Sequence, residues 1–168
     1  RSVILHRTFI NNINFCKMGK YSKIGNKNWI TGANKNITSS FTYSPDRKCE
    51  LIIGDHTRIT SQHYIDCTGG IYIGDFTTLA GIRSQLLSHS IDLRVSRQTA
   101  NPVMIGRYCF ISSSCILLKG TRVPDYCVLG AGAILTKTYL ENYCLYAGNP
   151  AKFIKKLDEN NTLYFKRE

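Results

Sequence analysis

The sequence predicts an all-β chain wound into a parallel coil of six-residue units, and three observations carry that expectation. An aliphatic residue returns at every sixth position, at Ile105, Ile111, Leu117, Val123, Leu129 and Leu135. A small residue stands two positions before each later member, at Cys109, Cys115, Thr121, Cys127 and Ala133. Turn formers recur between them, at Gly106-Arg107, Gly120 and Pro124-Asp125. Strand side chains alternate faces, so each small and aliphatic pair points inward, and each hexapeptide reads as one short strand plus one corner. Three such units close a triangular coil, and stacked coils hydrogen-bond at about 4.8 Å to give three parallel sheets around an apolar interior.

Taken in order, the first 17 residues carry no assignable pattern. The period runs through Met18, Ile24 and Ile30, pauses over a weakly patterned stretch at 36–50 with a turn at Pro45-Asp46, and resumes at Ile53, Ile59 and Ile65. It slips by two residues before Ile73 and Leu79, and residues 90–103 form the one conspicuous loop. After Pro150, the segment from Ala151 to Leu157 predicts a short helix with Phe153, Ile154 and Leu157 on one face, capping the open end. The expectation is one domain over residues 1–168. Its coils run from about residue 18 to about 140, roughly seven of them in a prism about 30 Å tall, and a segment with the helix follows over 141–168.

Composition agrees with this outline. A chain that is 43% hydrophobic and 20% charged has enough apolar material for a core and is not disordered. No apolar run approaches the roughly 18 to 20 residues of a membrane span, and the first residues lack a signal-peptide pattern, so the chain reads as soluble and cytoplasmic. Seven cysteines without a C-x-x-C pair suggest neither a disulfide framework nor a zinc ribbon and fit a reducing compartment. On that reading the sequons at Asn36 and Asn160 are accidental. Cys109, Cys115 and Cys127 occupy small inward positions, where a thiol acts as a compact hydrophobe.

The net charge of +11 raises anionic partners. Residues 1–50 hold nine basic and two acidic side chains, but no dense basic block or helix-like stripe predicts nucleic acid as the partner. Outward positions just before the aliphatic members include Phe110 and Val128 on one face and Ile116 and Ile134 on a second. Such rows imply a covering partner, and a homotrimer packed along them is expected.

Ser88-His89 before a loop, Ile105-Gly106 to Gly120, Leu129-Gly130-Ala131-Gly132-Ala133 to Thr136-Lys137, and Gly148-Asn149-Pro150-Ala151-Lys152 follow one another in an order that resembles the hexapeptide-repeat acyltransferases. Within that family the match is to the sugar and antibiotic O-acetyltransferase group, over about residues 18 to 155. Ala80-Gly81-Ile82-Arg83-Ser84-Gln85 looks most like acetyltransferases of bacterial surface-polysaccharide clusters. The resemblance implies a left-handed coil, an exception to the usual crossover hand. It also implies a trimer with active sites between neighbouring subunits, and acetyl-CoA as co-substrate without a metal.

A neutral sugar hydroxyl is a poor nucleophile near pH 7 and needs a base, and His89, where the repeat breaks into the loop, occupies the family's catalytic motif position. Direct transfer is expected, with a backbone N–H stabilising the oxyanion. Cys67 and Cys109 sit in no nucleophile arrangement with His89. By motif position Ser113, Ala131, Gly132 and Thr136 resemble the family's pantetheine contacts, and Lys137, Lys152 and Lys155 its phosphate contacts, with a tight corner or a solvated helix face as the plainer readings. Thr60, Ser61 and His63 map to the acceptor region, His63 being read either as structural or as an acceptor contact. Thr60 stands where the family's sugar enzymes place an amide. Asp92 orients His89, meets a substrate hydroxyl or forms a turn, and Gly69-Gly70 is expected to leave room beside the imidazole. Arg94 and Arg97 in the loop are read as solvated charges or as contacts to a phosphate.

The function expected is transfer of acetyl from acetyl-CoA to a sugar hydroxyl of a small-molecule or glycan acceptor, in surface-polysaccharide assembly. The alternatives are acetylation of an antibiotic such as chloramphenicol or of an amino sugar, and, from a different class, a non-enzymatic β-helical scaffold or a binder of anionic polymer. A carbonic anhydrase on this fold needs three zinc histidines, and none follows His89.

Overall fold

In the computed structural model, which describes every residue except Lys35, Ile37 and Thr38, the chain winds into the expected coil. The first turn is β1 (Val3–Ile4), β2 (Phe9–Ile10) and β3 (Phe15–Met18), and the second is β4 (Lys23–Ile24), β5 (Trp29–Thr31) and β6 (Glu50–Ile53). The third is β7 (Arg58–Ile59), β8 (Tyr64–Asp66) and β9 (Ile71–Ile73). The fourth starts with β10 (Thr78–Leu79) and β11 (Gln85–Leu87), leaves the coil as an antiparallel hairpin, β12 (His89–Asp92) and β13 (Arg97–Ala100), and closes with β14 (Val103–Ile105). Then follow β15 (Phe110–Ile111), β16 (Ile116–Leu117) and β17 (Arg122–Val123), and after them β18 (Val128–Leu129) and β19 (Ile134–Leu135). A seventh turn opens with β20 (Cys144–Ala147), against which β21 (Lys152–Lys156) doubles back antiparallel.

Strands one coil apart pair in parallel to form three sheets. Sheet A holds β1, β4, β7, β10, β15, β18 and β20; sheet B holds β2, β5, β8, β11, β16 and β19; sheet C holds β3, β6, β9, β14 and β17. The register carries the period across the insertions: Ile24 pairs with Ile59, Ile59 with Leu79, Leu79 with Ile111 and Ile111 with Leu129. All of these, with Cys109, Cys115, Cys127 and Ala133, are buried in one core cluster. The small inward residue has a geometric reason, since three walls of a triangular prism converge and only one large side chain per strand fits the axis.

Two expectations need correction. Coiling begins at Val3, and Ile4 and Ile10, six apart and in register with Ile24 and Ile30, are the first members of the period. The segment after Pro150 is a strand: β21 satisfies the edge of β20, and this outweighs the helical spacing of Phe153, Ile154 and Leu157. The only helical turn near the C-terminus among the described residues is the 3-10 turn Leu163–Lys166. The Asn36 sequon runs into Ile37 and Thr38, outside the described residues.

The corner joining sheets C and A carries a feature not expected from the sequence. Tyr21, His56, Phe76, Tyr108, Tyr126 and Tyr143 hold left-handed backbone with φ between 54° and 57°, and successive rings lie 4.6 to 5.1 Å apart. Non-glycine residues rarely adopt that backbone. Here each ring gains a stacked neighbour, and those inside the ladder gain one above and one below, which offsets the conformational cost. The C-terminal segment straps this ladder: Phe165 meets Tyr126 and Tyr143 edge-on, the Arg167 side chain donates to the Phe76 carbonyl, and Tyr108 Oη donates to the Arg167 carbonyl. Tyr164 lies edge-on to Phe110 at 5.6 Å, so part of the outward row on sheet A is covered by the chain itself.

Candidate functional site

Both long insertions leave the coil at the corner between sheets B and C. One, residues 32–49, joins β5 to β6; the other contains the hairpin. β8 ends at Asp66, and one coil above it Leu87 of β11 is its register partner. The chain that follows Leu87 therefore begins directly over a buried carboxylate. Asp66 Oδ2 accepts from the backbone N–H of Ser88 at 3.0 Å and of His89 at 3.1 Å, and lies 2.5 Å from His89 Nδ1. Its other oxygen accepts from the Thr68 hydroxyl at 2.6 Å and the Thr68 N–H at 3.1 Å. Burial pushes the Asp66 carboxyl up, but the hydrogen bonds from His89 and Thr68 outweigh it and hold the group below the usual carboxylate range. An ionised carboxylate only accepts, so Nδ1 carries a proton, and in the neutral ring the lone pair is then on Nε2. The His89 side chain is 35% exposed, enough for Nε2 to meet a substrate, while Asp66 is shielded.

The surroundings fix the ring further. Phe41, on the 3-10 turn Ser39–Phe41, meets the imidazole edge-on at 5.9 Å, and the Arg47 guanidinium lies 4.2 Å over the opposite partner of that contact, the Phe41 ring. Ser44 Oγ accepts from Ala100 N–H at 3.0 Å, tying the insertion to the hairpin. Between them opens a cleft of about 450 Å³ lined by Tyr43, Lys48, Gly69, Tyr72, Asn101 and Met104 among others. Ala100, which also lines it, is the register partner of His89, so the cleft begins one strand spacing from the His89 backbone. Gly69 does not hold space open there. A Cβ on it would sit 2.6 Å from the Ser88 carbonyl oxygen and 2.8 Å from the Asn101 backbone, and the glycine is what lets the hairpin roots close onto the coil.

Seven of the remaining candidates divide between two edges of sheet B. Thr60, Ser61, Ser113, Ala131 and Gly132 occupy the corner between sheets A and B, at the start of the sheet B strands. Thr136 and Lys137 follow β19 on the His89 side, and Lys137 Nζ lies 5.3 Å over the Tyr139 ring. Lys152 and Lys155 lie on exposed β21. His63 is buried, its Nε2 2.9 Å from Thr60 Oγ1 and its Nδ1 accepting from Ser84 N–H at 3.1 Å. Burial lowers it to about 4, so the ring is neutral and ties Thr60 to Ser84 within the A–B corner. Asp92 lies three residues out along the hairpin and pairs with Arg94 at 3.1 Å, so it does not orient His89; Asp66 does. Asp66, Phe41 and Arg47 were missed. The signal for Asp66 was its register below Leu87, which the slips in the period obscured. Cys67 and Cys109 are buried and burial pushes both thiols up, which opposes a nucleophilic role.

No protein-family model matches the chain. A chloramphenicol acetyltransferase of Agrobacterium fabrum is 36% identical over 64 residues, 38% of this chain and 30% of that protein. One of Klebsiella aerogenes is 34% identical over 73 residues, 42% of this chain and 34% of that protein. The chain thus matches about a third of the length of these curated relatives. Among solved structures, a hexapeptide-repeat acetyltransferase of Vibrio cholerae in complex with acetyl coenzyme A superposes with a TM-score of 0.68 at 19% identity, covering 85% of this chain and 72% of that one. A maltose O-acetyltransferase of Clostridium difficile gives 0.68 at 22% identity over 86% and 71%. An N-acyltransferase of Bacillus cereus, in complex with dTDP and 3-hydroxybutyryl-CoA, gives 0.70 at 15% identity over 95% and 84%. The fold is the left-handed parallel β-helix of these enzymes.

Proposed function

We propose that this chain, which has the coil of the hexapeptide-repeat acetyltransferases, transfers an acetyl group from acetyl-CoA to a hydroxyl of a sugar, with His89 as general base. The observation that carries the reading is the Asp66–His89 pair at the mouth of the only corner from which both insertions leave. A carboxylate on Nδ1 fixes the tautomer, orients the ring and favours the imidazolium that forms when Nε2 accepts a proton. The acceptor hydroxyl gives its proton to Nε2 as its oxygen bonds to the acyl carbon; the carbon–sulfur bond breaks and the proton passes on to the departing thiolate. The cleft beside Ala100 and Gly69, with tyrosines, an amide and opposite charges on its walls, suits an amphipathic glycosyl unit.

Ser113, Ala131 and Gly132 lie on the opposite edge of sheet B from His89, roughly 15–20 Å away by strand rise, so one chain does not bring them together. A homotrimer in which the A–B corner of one copy faces the B–C corner of the next completes the site. The outward residues Phe9, Trp29, Tyr64, Ile116 and Ile134 on sheet B, a row interrupted by Gln85, support such packing, and Phe110 on sheet A is withdrawn because Tyr164 covers that ring. Thr136 and Lys137 at the B–C corner, and Lys152 and Lys155 on β21 over sheet A, are the groups proposed for pantetheine and phosphates. Surface-polysaccharide assembly in the cytoplasm is the setting proposed, supported by seven free cysteines. No helix among the described residues is long and apolar enough to cross a membrane.

Acetylation of chloramphenicol is the second reading, favoured by the 36% identity to a chloramphenicol acetyltransferase. Thiol release from acetyl-CoA, coupled to mass detection of one added acetyl group, across nucleotide sugars, glycosides, polysaccharide repeat units and chloramphenicol, separates the readings. Gain on a glycan supports the proposal, and gain on the drug alone replaces it. No transfer to any acceptor and no coenzyme A binding contradicts both.

A further inference from the structure

The charge on this chain is not spread evenly over the three corners. Asp55, Asp75 and Asp125 stand in turns of the C–A corner, Asp66 ends a strand at the B–C corner, and Asp46 and Asp92 lie in the insertions. The turns of the A–B corner, residues 5–8, 25–28, 60–63, 80–84, 112–115 and 130–133, contain no carboxylate. Its lower half is cationic instead. Arg7, Lys27 and Arg83 occupy the left-handed turn position, with φ of 57°, 55° and 63°, in three of the four lowest coils. Backbone hydrogen bonds from Lys27 to His6, Gln62 to Asn26 and Arg83 to Gln62 stack these turns directly on one another.

Beside that edge, on the outer face of sheet A, Lys23 and Arg58 are register partners on β4 and β7. Like charges placed directly opposite across adjacent strands repel. Among the described residues neither has an ion-pair partner to offset this. Both line a hollow of about 260 Å³ whose wall also includes Asn26, Thr60 and Ser61. The Asn26 side-chain amide is engaged by no other group among the described residues, and the Ser61 hydroxyl, which accepts from Asn26 N–H at 3.0 Å, retains its own proton to donate. Two cationic side chains from adjacent strands, with an amide and a hydroxyl lining the same hollow, form a receptor for an anion with several acceptor oxygens.

We propose that the Lys23–Arg58 hollow binds a diphosphate ester. The residues lining the hollow of about 260 Å³ include no aromatic side chain on which a nucleobase could stack. A single carboxylate would leave one cation unmatched. Arg7, Lys27 and Arg83 supply the surrounding positive field that draws such an anion in. Taken with the acetyl-transfer reading, on which this step alone rests, the ester belongs to the acceptor: the donor candidates Ser113 and Ala131 lie higher on the same corner, in coils without this charge. The acceptor is then a glycosyl diphosphate, with a nucleoside or a lipid on the far side of the phosphates.

The test is calorimetric titration of the intact chain with inorganic pyrophosphate at physiological salt, repeated with the Lys23→Gln/Arg58→Gln double variant and with Lys137→Gln/Lys152→Gln. Saturable binding weakened about tenfold or more by the first pair and within about twofold by the second is the expected result. Competition by a nucleoside diphosphate, or by a short-chain lipid diphosphate alone, identifies the source of the phosphates. Binding that is absent, or that follows Lys137 and Lys152, overturns the proposal. So does an oligonucleotide or an anionic phospholipid vesicle that binds more tightly than pyrophosphate through Lys23 and Arg58. Both substituted side chains point outward, and a thermal melt of each variant confirms folding. Acetyl-CoA titration of the same proteins reports on the transferase reading separately, since its failure leaves pyrophosphate binding unchanged.

Discussion

Asp66 Oδ2 lies 2.5 Å from His89 Nδ1 although 23 positions separate the two residues, because one turn of the coil places the end of β11 directly over the end of β8. The same carboxylate holds the Ser88 and His89 N–H groups, so it fixes backbone and ring together. Asp66→Asn keeps the volume but can present an N–H to Nδ1, favouring the tautomer that has its proton on Nε2. The expected outcome is a fall in kcat of about 10²- to 10⁴-fold with acetyl-CoA affinity retained. Steady-state kinetics with direct binding checks it, and a loss confined to KM would show that Asp66 acts on binding instead.

Gly69 closes the hairpin onto the coil. Gly69→Ala pushes a methyl group against the Ser88 carbonyl oxygen and the Asn101 backbone, and the expected cost is about 1–3 kcal/mol in urea unfolding. Activity should fall more than stability alone explains, because the residues displaced lead directly into His89.

How much of this was legible in the sequence depends on what repeats. Ile105 to Leu135 announce six successive units, two coils' worth, without interruption, and His89 stands at the break in the pattern, so the fold and the candidate base could both be read. Asp66 could not, since its role depends on which residue ends up above it, and the slips before Ile73 and Leu79 hide that register. The strand at Lys152–Lys156 was read as a helix because local spacing says nothing of the open edge of β20 that it completes. Ile4 and Ile10 show the period in the first coil but are only two members, too few to stand out.

His63 makes stability depend on pH. The ring is neutral in the folded chain, with its value lowered by burial to about 4, whereas an unfolded histidine titrates near 6.5. The unfolded chain therefore binds more protons between these values. The contribution is fully present above about pH 6.5 and is lost as pH falls toward 4, amounting to about 3 kcal/mol at most. Urea midpoints measured across that window should fall with pH in the wild type and fall less in His63→Gln.

The C-terminal strap is a stabilising element. Phe165 is buried against Tyr126 and Tyr143, and Phe165→Ala should cost about 2–4 kcal/mol with the far-ultraviolet spectrum of the native fold unchanged. Tyr164 covers Phe110 on sheet A, and sheet B is the face proposed for association. Light scattering should show a trimer that Ile116→Arg/Ile134→Arg dissociates, and a stable wild-type monomer would remove the inter-subunit site.

Acetyl transfer by His89→Ala, compared with the wild type on whichever glycan accepts acetyl, tests the central claim most directly. The expected result is a loss of turnover of about 10²- to 10⁴-fold while the Kd for acetyl-CoA stays within about twofold. Turnover unchanged in a folded His89→Ala protein would contradict it, and Asp66 would then hold a ring that takes no part in the chemistry.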